Sequence, residues 1–442
     1  MSKVENISIV GAGLVGSLMG IYLAKRGFKV SLFESRLDLR KNNIDSGRSI
    51  NLALSNRGWA PLRELGLEEE AKKLAIPMNG RMMHDESGDL TFQPYGKDGQ
   101  SIFSVSRGGL NELLLNTAEE NGVKIFFNKR CTHIDLEENT LTFSDGEEVK
   151  SDAIIGADGA YSIVRGVIQK TSRFNYSQHY IEHGYKELTI PATDANDFKI
   201  EKNALHIWPR GTFMLIALPN LDGSFTVTLF LPYEGEKSFA TLTSDKEITE
   251  FFQTTFPDAH DLIPSLLSDF QEHPTSSLVT VKCFPWHKNQ SLLIGDAAHA
   301  IVPFYGQGMN CGFEDCRILN KLLEEFDNDW ERTITSFSVV RKNDADAISD
   351  LALHNFIEMR DLVADDNFLL RKKIEARLNK LYPDQWIPLY SMVTFNEQIP
   401  YSQAQKTGRI QANIMDEVMK TPNLQENWEQ LDFESIVNQL PH

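Results

Sequence analysis

Three glycines in Gly11-Ala-Gly-Leu-Val-Gly16 have the spacing that folds backbone around a pyrophosphate. Gly11 permits a tight turn, Gly13 removes the side chain where backbone must approach phosphate, and Gly16 lets the following helix pack closely on its strand. Glu34, 18 residues past Gly16, is suited to bond ribose hydroxyls, and its charge disfavours a 2′-phosphate in this loop. A second run, Ser291-Leu-Leu-Ile-Gly-Asp-Ala-Ala-His-Ala300, places Asp296 after a short apolar stretch and leads into Pro303-Phe-Tyr-Gly-Gln-Gly-Met-Asn310. Read alone, Asp296 is equally a helix N-cap. With Gly306 and Gly308 open for a flat ring, and a helix from Asn310 turning its positive end toward it, the run through Met309 reads instead as a flavin contact. Two such loops, far apart in sequence, fit one extended cofactor, FAD. His299 resembles a general base in type, but beside this turn it reads as packing beneath the loop.

A third loop, Gly156-Ala-Asp-Gly-Ala-Tyr-Ser-Ile-Val-Arg165, reads by itself as a strand-to-helix turn capped by Asp158.

Apolar periodicity supplies the elements that hold these loops. Asn6 to Val10 reads as a buried strand, and Val15, Leu18, Met19, Tyr22 and Leu23 fall on one helical face ended by Gly27. Lys29 to Phe33 is the next strand, so residues 6 to 34 form a βαβ unit with an expected right-handed connection. Residues 107–120 read as a helix, and 123–127 and 153–156 as strands. From about residue 171 the pattern changes to strands with antiparallel turn chemistry, at 183–190, 204–208, 213–218 and 224–231, with Asn220-Leu-Asp-Gly223 as a turn. The strand style of the first domain returns at 291–294, and helical periodicity covers 345–362, 368–381 and the stretch after Ser402.

The fold class is therefore α/β, an α+β two-domain arrangement. A discontinuous Rossmann-like FAD domain comprises 1–75, 105–170 and 285–330. A sheet-rich substrate domain comprises 76–104 and 171–284, and a C-terminal helical region, 331–442, closes the substrate pocket. The tail from Asn423 to His442 is acidic and mixed and is expected to be solvated.

A chain of 442 residues exceeds the size at which one core stops growing, so several units are expected. Its net charge of −18 disfavours nucleic acid and anionic membrane as partners. The four cysteines form no CxxC pair, which indicates free thiols rather than a zinc site or disulfide scaffold, and no metal is expected. The N-terminus lacks a secretory pattern, and no apolar run of roughly 18 residues suggests a membrane span. A cytoplasmic location follows as an expectation.

All three loops, in this order, resemble those of single-component flavin-dependent aromatic hydroxylases, in which Asp158 is implied to link FAD and NADPH without a second nucleotide fold. The runs 48–55, 80–84, 93–96, 183–188, 203–209, 217–221, 225–230, 302–310 and 390–395 are similar to the kynurenine 3-monooxygenase family over about residues 5–410. The resemblance implies that Arg81, Tyr95 and Tyr390 hold the substrate carboxylate, that Asn355 assists, and that Pro303, Phe304 and Gln307 line the ring pocket. Arg107 and Asp296 are implied FAD contacts. Tyr305 stands where the motif varies and receives no role. No side chain is assigned as a catalytic acid or base, because the flavin carries the chemistry. The implied reaction is hydroxylation of L-kynurenine to 3-hydroxy-L-kynurenine, using NADPH and O2 through a flavin C4a-hydroperoxide. Eukaryotic members carry a C-terminal anchor that is missing here, implying a soluble bacterial-type enzyme, monomer or homodimer. The residues by themselves leave open a hydroxylase of another aromatic acid, such as salicylate or 4-hydroxybenzoate, and a flavin-binding sensor. A flavin halogenase is disfavoured because no two of the six tryptophans lie two apart.

Overall fold

The strands that read as short apolar runs are buried end to end. In Ala153–Gly156 every residue is buried, as are Ile7 to Val10 of Asn6–Val10 and all of Ser291–Leu293. Continuous burial of this kind arises when a parallel sheet is covered on both faces. In the computed structural model, which describes residues 4–41, 51–95, 99–359 and 366–441 (Asp366 without its side chain), these strands form a six-stranded sheet. Its order is His287–Lys288, Ser291–Leu293, Ala153–Gly156, Asn6–Val10, Lys29–Phe33, Lys124–Phe126. All neighbours pair in parallel except the edge strand His287–Lys288. The register Val10↔Gly156 and Val10↔Phe33 aligns the carboxyl ends of three strands, where open α/β sheets bind ligands.

The chain folds into two compact units. Unit 1 is 1–76, 103–181 and 277–349; unit 2 is 77–102, 182–276 and 350–442.

In unit 1 the helix Leu14–Lys25 differs from its expected single apolar face: Gly16 to Leu23 are all buried, whereas Val15 is half-buried. Small residues explain this. A Cβ on Gly16 would lie 1.9 Å from the Gly11 carbonyl oxygen, and one on Gly20 would lie 3.3 Å from Leu32, so neighbours close in where a side chain would stand. Each fully buried Leu or Ile here contributes roughly 1.5–3 kcal/mol. The expected helix end is present, with Gly27 at φ +90°.

Unit 2 carries the sheet in which the segment 182–190, then Phe225–Pro232, Met214–Pro219, Ala204–Pro209, Gly80–His84 and Leu90–Pro94 are successive neighbours. Pairing is antiparallel except between Ala204–Pro209 and Gly80–His84, which run parallel with Leu205 opposite Arg81. One face buries Trp208, Phe225, Leu229 and Phe252 among others.

The tail overturns its expectation of solvation. Leu424, Phe433, Ile436 and Val437 are buried in a cluster with Ile374, Leu378 and Trp386. Phe433, Ile436 and Val437 share one face of the short helix Phe433–Val437, a three-residue apolar stripe that the surrounding acidic residues obscure in composition. Helices also cover Trp330–Ile357, Asp366–Leu381 and Tyr401–Val418; positions 360–362 of the expected 345–362 helix lie outside the described residues, as do Arg48 to Ile50, Gly96 and His442.

Candidate active site

Three strand ends and two helix N-termini build the first cluster, all within unit 1. Gly11 has φ +102°, and a Cβ there would meet the Ala157 carbonyl oxygen at 2.5 Å, so this turn admits only glycine. Gly13 is different: a Cβ there would meet nothing within 4 Å. It caps the helix Leu14–Lys25 without a side-chain hydrogen bond from any described residue, leaving first-turn N–H groups open toward that space. Open space before uncapped N–H donors is what a pyrophosphate requires, so these residues fit the dinucleotide expected from the sequence.

Glu34 lies at the end of the neighbouring strand, 6% exposed. Burial would raise its pKa, but hydrogen bonds from Arg36 and the Ala12 N–H prevail and hold it below the ordinary carboxylate value. Arg36 Nε stands 2.9 Å from Oε1 and Ala12 N 3.1 Å from Oε2. Ribose hydroxyls would have to share this carboxylate with the Arg36 side chain, which is mostly exposed.

Ser162 caps the helix Ile163–Ile168, its Oγ accepting the Arg165 N–H at 3.0 Å, while Asp158 accepts from Ser162 Oγ at 2.5 Å and from Ile163 N at 2.7 Å. The cap expected at Asp158 falls instead at Ser162, which Asp158 braces from the turn. Burial raises the Asp158 pKa against those hydrogen bonds.

Asp296 opens the helix Asp296–His299 and is exposed. Desolvation raises its pKa, opposed by Arg107, which stands exposed at the first position of the helix Arg107–Glu120.

The helix expected from Asn310 starts at Gly308 and has no side-chain cap among the described residues, so the N–H groups of Gly308, Met309 and Asn310 lack intrahelical acceptors. Gly306, at φ +64°, turns the chain into it. The Asn310 side chain is committed to the protein: Oδ1 accepts the Ser55 N–H at 3.0 Å, and Nδ2 donates to Ala53 O at 2.8 Å and Gly306 O at 2.7 Å. What Asn310 offers a ligand is therefore its backbone. Phe304 and Gln307 are buried and Pro303 is exposed.

The second cluster lies within unit 2. Arg81 projects from Gly80–His84, Tyr95 follows Leu90–Pro94, and Tyr390 sits on the helix Leu389–Thr394. The tyrosine rings stack at 5.3 Å between centroids and 12° between planes, with the Arg81 guanidinium 5.0 Å from the Tyr390 ring and 5.8 Å from that of Tyr95. Burial pushes both phenols above their ordinary range; for Tyr95 the nearby Tyr390 adds to this and Arg81 opposes it. The Tyr95 hydroxyl is buried without a hydrogen-bond partner of good geometry among the described residues. An unsatisfied buried hydroxyl beside a guanidinium fits an anionic acceptor such as a carboxylate. Asn355, 4% exposed, donates to Met359 Sδ at 3.2 Å.

Residues 3–345 match the family described as FAD binding domain. A kynurenine 3-monooxygenase of Christiangramia forsetii is 49% identical over 100% of this chain and 99% of its own length. One of Cytophaga hutchinsonii is 51% identical over 96% of each, and one of Dictyostelium discoideum 46% identical over 94% of this chain and 93% of its own.

The chain belongs to the kynurenine 3-monooxygenase family of FAD-binding proteins.

Among solved structures, the tetrameric form of 2-methyl-3-hydroxypyridine-5-carboxylic acid oxygenase superimposes with a TM-score of 0.69 at 21% identity, over 86% of this chain and 98% of its own. At that identity the likeness concerns the fold alone. No described helix of this family member is long and apolar enough to cross a membrane. Its four cysteines are free, as their spacing implied, and all four are buried.

Sequence reasoning missed the polar frame behind the loops. Ser55 and Asn111 tie neighbouring segments to Asn310 and to the Ala12 carbonyl, and Arg57, Glu314, Asp315 and Arg341 form buried ion pairs. Glu314-Asp315 inside an apolar helix was the available signal, since adjacent acids on a buried face require cations.

Proposed function

We propose that this chain hydroxylates L-kynurenine to 3-hydroxy-L-kynurenine, consuming NADPH, a proton and O2 and releasing NADP+ and water. The observation that carries the reading is the Arg81–Tyr95–Tyr390 cluster, with its unsatisfied buried hydroxyl, in a family whose named relatives are kynurenine 3-monooxygenases. Bound FAD, reduced by NADPH, supplies the oxygen-transfer chemistry.

The chain's own residues bind and orient. N–H groups at Gly13 and the following turn hold the pyrophosphate, with Gly11 and Gly16 shaping the loop, and Glu34 takes the ribose. Arg107, Asp158 and Asp296 would contact the cofactor further along, Asp158 while it accepts from Ser162 and the Ile163 N–H. The helix N-terminus at Gly308, Met309 and Asn310, reached through Gly306, would hold the flavin ring and favour negative charge on it. Arg81 receives the amino-acid carboxylate through a planar fork, the tyrosine hydroxyls add donors, and Asn355 supports them. Pro303, Phe304 and Gln307 contact the aromatic ring. Because the anilinic amine already activates the ortho carbon, positioning and exclusion of water suffice, and no strong protein base is required. Residues 331–442 are assigned to enclosing the substrate. We further infer a cytoplasmic monomer or homodimer acting on a small molecule, without nucleic acid.

NADPH oxidation tested across kynurenine, salicylate and 4-hydroxybenzoate separates this reading from its neighbours. Stimulation by kynurenine alone is expected. Stimulation only by a benzoate would assign another aromatic hydroxylase, and none at all would favour a flavin-binding sensor.

A further inference from the structure

Behind the Gly295-Asp296 turn runs a chain of buried charges to which no ligand contact is assigned. His299 Nε2 lies 2.6 Å from Asp315 Oδ2, and the same oxygen accepts the Gly295 N–H at 2.9 Å. Asp315 Oδ1 accepts from Arg341 Nε at 2.9 Å, Arg341 Nη1 donates to Glu314 Oε2 at 2.8 Å, and Glu314 Oε1 accepts from Arg57 Nη1 at 2.6 Å. Asp344 adds a further carboxylate 3.4 Å from Arg341 Nη1. Arg57, Arg341 and Asp315 are at most 1% exposed.

An uncompensated charge at such depth costs several kcal/mol, so the set must be close to neutral. Two guanidinium groups face three carboxylates, and the balance closes when His299 carries a proton. Burial alone would disfavour that proton, but Asp315 and Cys311 beside the ring hold the pKa well above the usual histidine range. His299, Cys311 and Asp315 are of types that bind metals, and their donor atoms lie close together. Arg341 already supplies the cation there, with Nη2 3.4 Å from Cys311 Sγ, so a divalent ion would meet like charge.

We propose that His299 is a positioning residue of the flavin site: an imidazolium, fixed by Asp315, that favours the reduced state of bound FAD. The proposal rests on the reading that the Gly295-Asp296 turn and the Gly308 helix hold the isoalloxazine. Hydride uptake brings two electrons and one proton, which leaves the ring with one added negative charge. His299 ends the helix begun by Asp296, and its Nδ1 stands 3.9 Å from Cys311 Sγ in the Gly308 helix, so the cation joins both flavin segments. In a low-dielectric interior such a charge acts with little screening.

The test compares flavin midpoint potentials of the FAD-loaded parent, His299→Gln and His299→Lys. The Gln chain should be harder to reduce, with a more negative potential, and the Lys chain, which keeps the charge, should lie close to the parent. A parent-like potential in the Gln chain, or an equal displacement in both variants, overturns the proposal. Nitrogen-15 NMR of the histidine-labelled parent holoenzyme needs no variant: His299 should remain an imidazolium at about pH 8, above the ordinary histidine range, and a neutral ring there overturns it. Neither readout involves an aromatic substrate, so failure here is distinguishable from failure of the hydroxylase reading.

Discussion

Unit 1 offers a ligand mainly backbone N–H groups, at the uncapped helix starts of Leu14–Lys25 and Gly308–Glu325, whereas the unit 2 cluster offers side chains, the Arg81 guanidinium and two stacked phenols. Backbone donors are fixed by the fold and cost no rotamer entropy when they bind. Side chains brought from residues 81, 95 and 390 confer chemical selectivity, but only where packing holds their rotamers. A cofactor retained through every turnover fits the first arrangement, and a substrate that must enter and leave fits the second.

Breaking the backbone cradle should have the largest effect. Gly16→Ala forces a Cβ to within 1.9 Å of the Gly11 carbonyl, and the resulting backbone shift should cost about 3 kcal/mol. The purified protein should lose its yellow colour and melt earlier; full FAD content by absorbance would contradict the role of the cradle. Arg81→Ala should be selective instead, lowering kcat/KM for kynurenine on the order of 100-fold through loss of a charge-assisted hydrogen bond, with FAD content unchanged. Equal loss for a substrate without a carboxylate would contradict it.

Acid should act on the two regions with opposite sign. His206 in unit 2 donates from Nε2 to the Glu201 carbonyl at 2.7 Å, so its Nδ1 accepts from His84 Nε2 at 2.8 Å and no site remains for a second proton. Burial lowers its pKa to about 4. The unfolded chain therefore binds this proton first, and the stability His206 confers, fully present above about pH 6.5, falls as pH drops, by roughly 2 kcal/mol at pH 5. His299 in unit 1 is raised, so its contribution is present below the unfolded value and is lost only as pH rises through the folded one. Hydrogen exchange at falling pH should show amides of 204–209 loosening before those of 296–299; the reverse order would break the contrast. The smallest effect is expected from Tyr95→Phe. Removing a buried hydroxyl that lacks a hydrogen-bond partner of good geometry among the described residues should raise the melting temperature while weakening kynurenine binding by about fivefold, near 1 kcal/mol.

The same contrast explains what was legible in the sequence. Gly11, Gly13, Gly16 and Glu34 belong to one βαβ unit, so their relation is encoded in local spacing, and the strands Asn6–Val10, Lys29–Phe33 and Ala153–Gly156 were readable as short, mostly apolar runs. Arg81, Tyr95 and Tyr390 meet through tertiary packing across some 300 positions, and no local pattern marks them; resemblance alone brought them together. The charge chain through Asp315 and Arg341 was missed for the same reason, the adjacent acids Glu314-Asp315 being its one local sign. The tail misled because acidic composition outweighed the short stripe of Phe433, Ile436 and Val437.

The central claim is that this chain transfers one oxygen atom from O2 to kynurenine. Mass spectrometry of the product formed by the FAD-loaded protein with kynurenine, NADPH and isotope-labelled dioxygen tests it most directly. The account predicts a kynurenine derivative heavier by one labelled oxygen atom; unchanged kynurenine with hydrogen peroxide as the sole product of NADPH oxidation would contradict it.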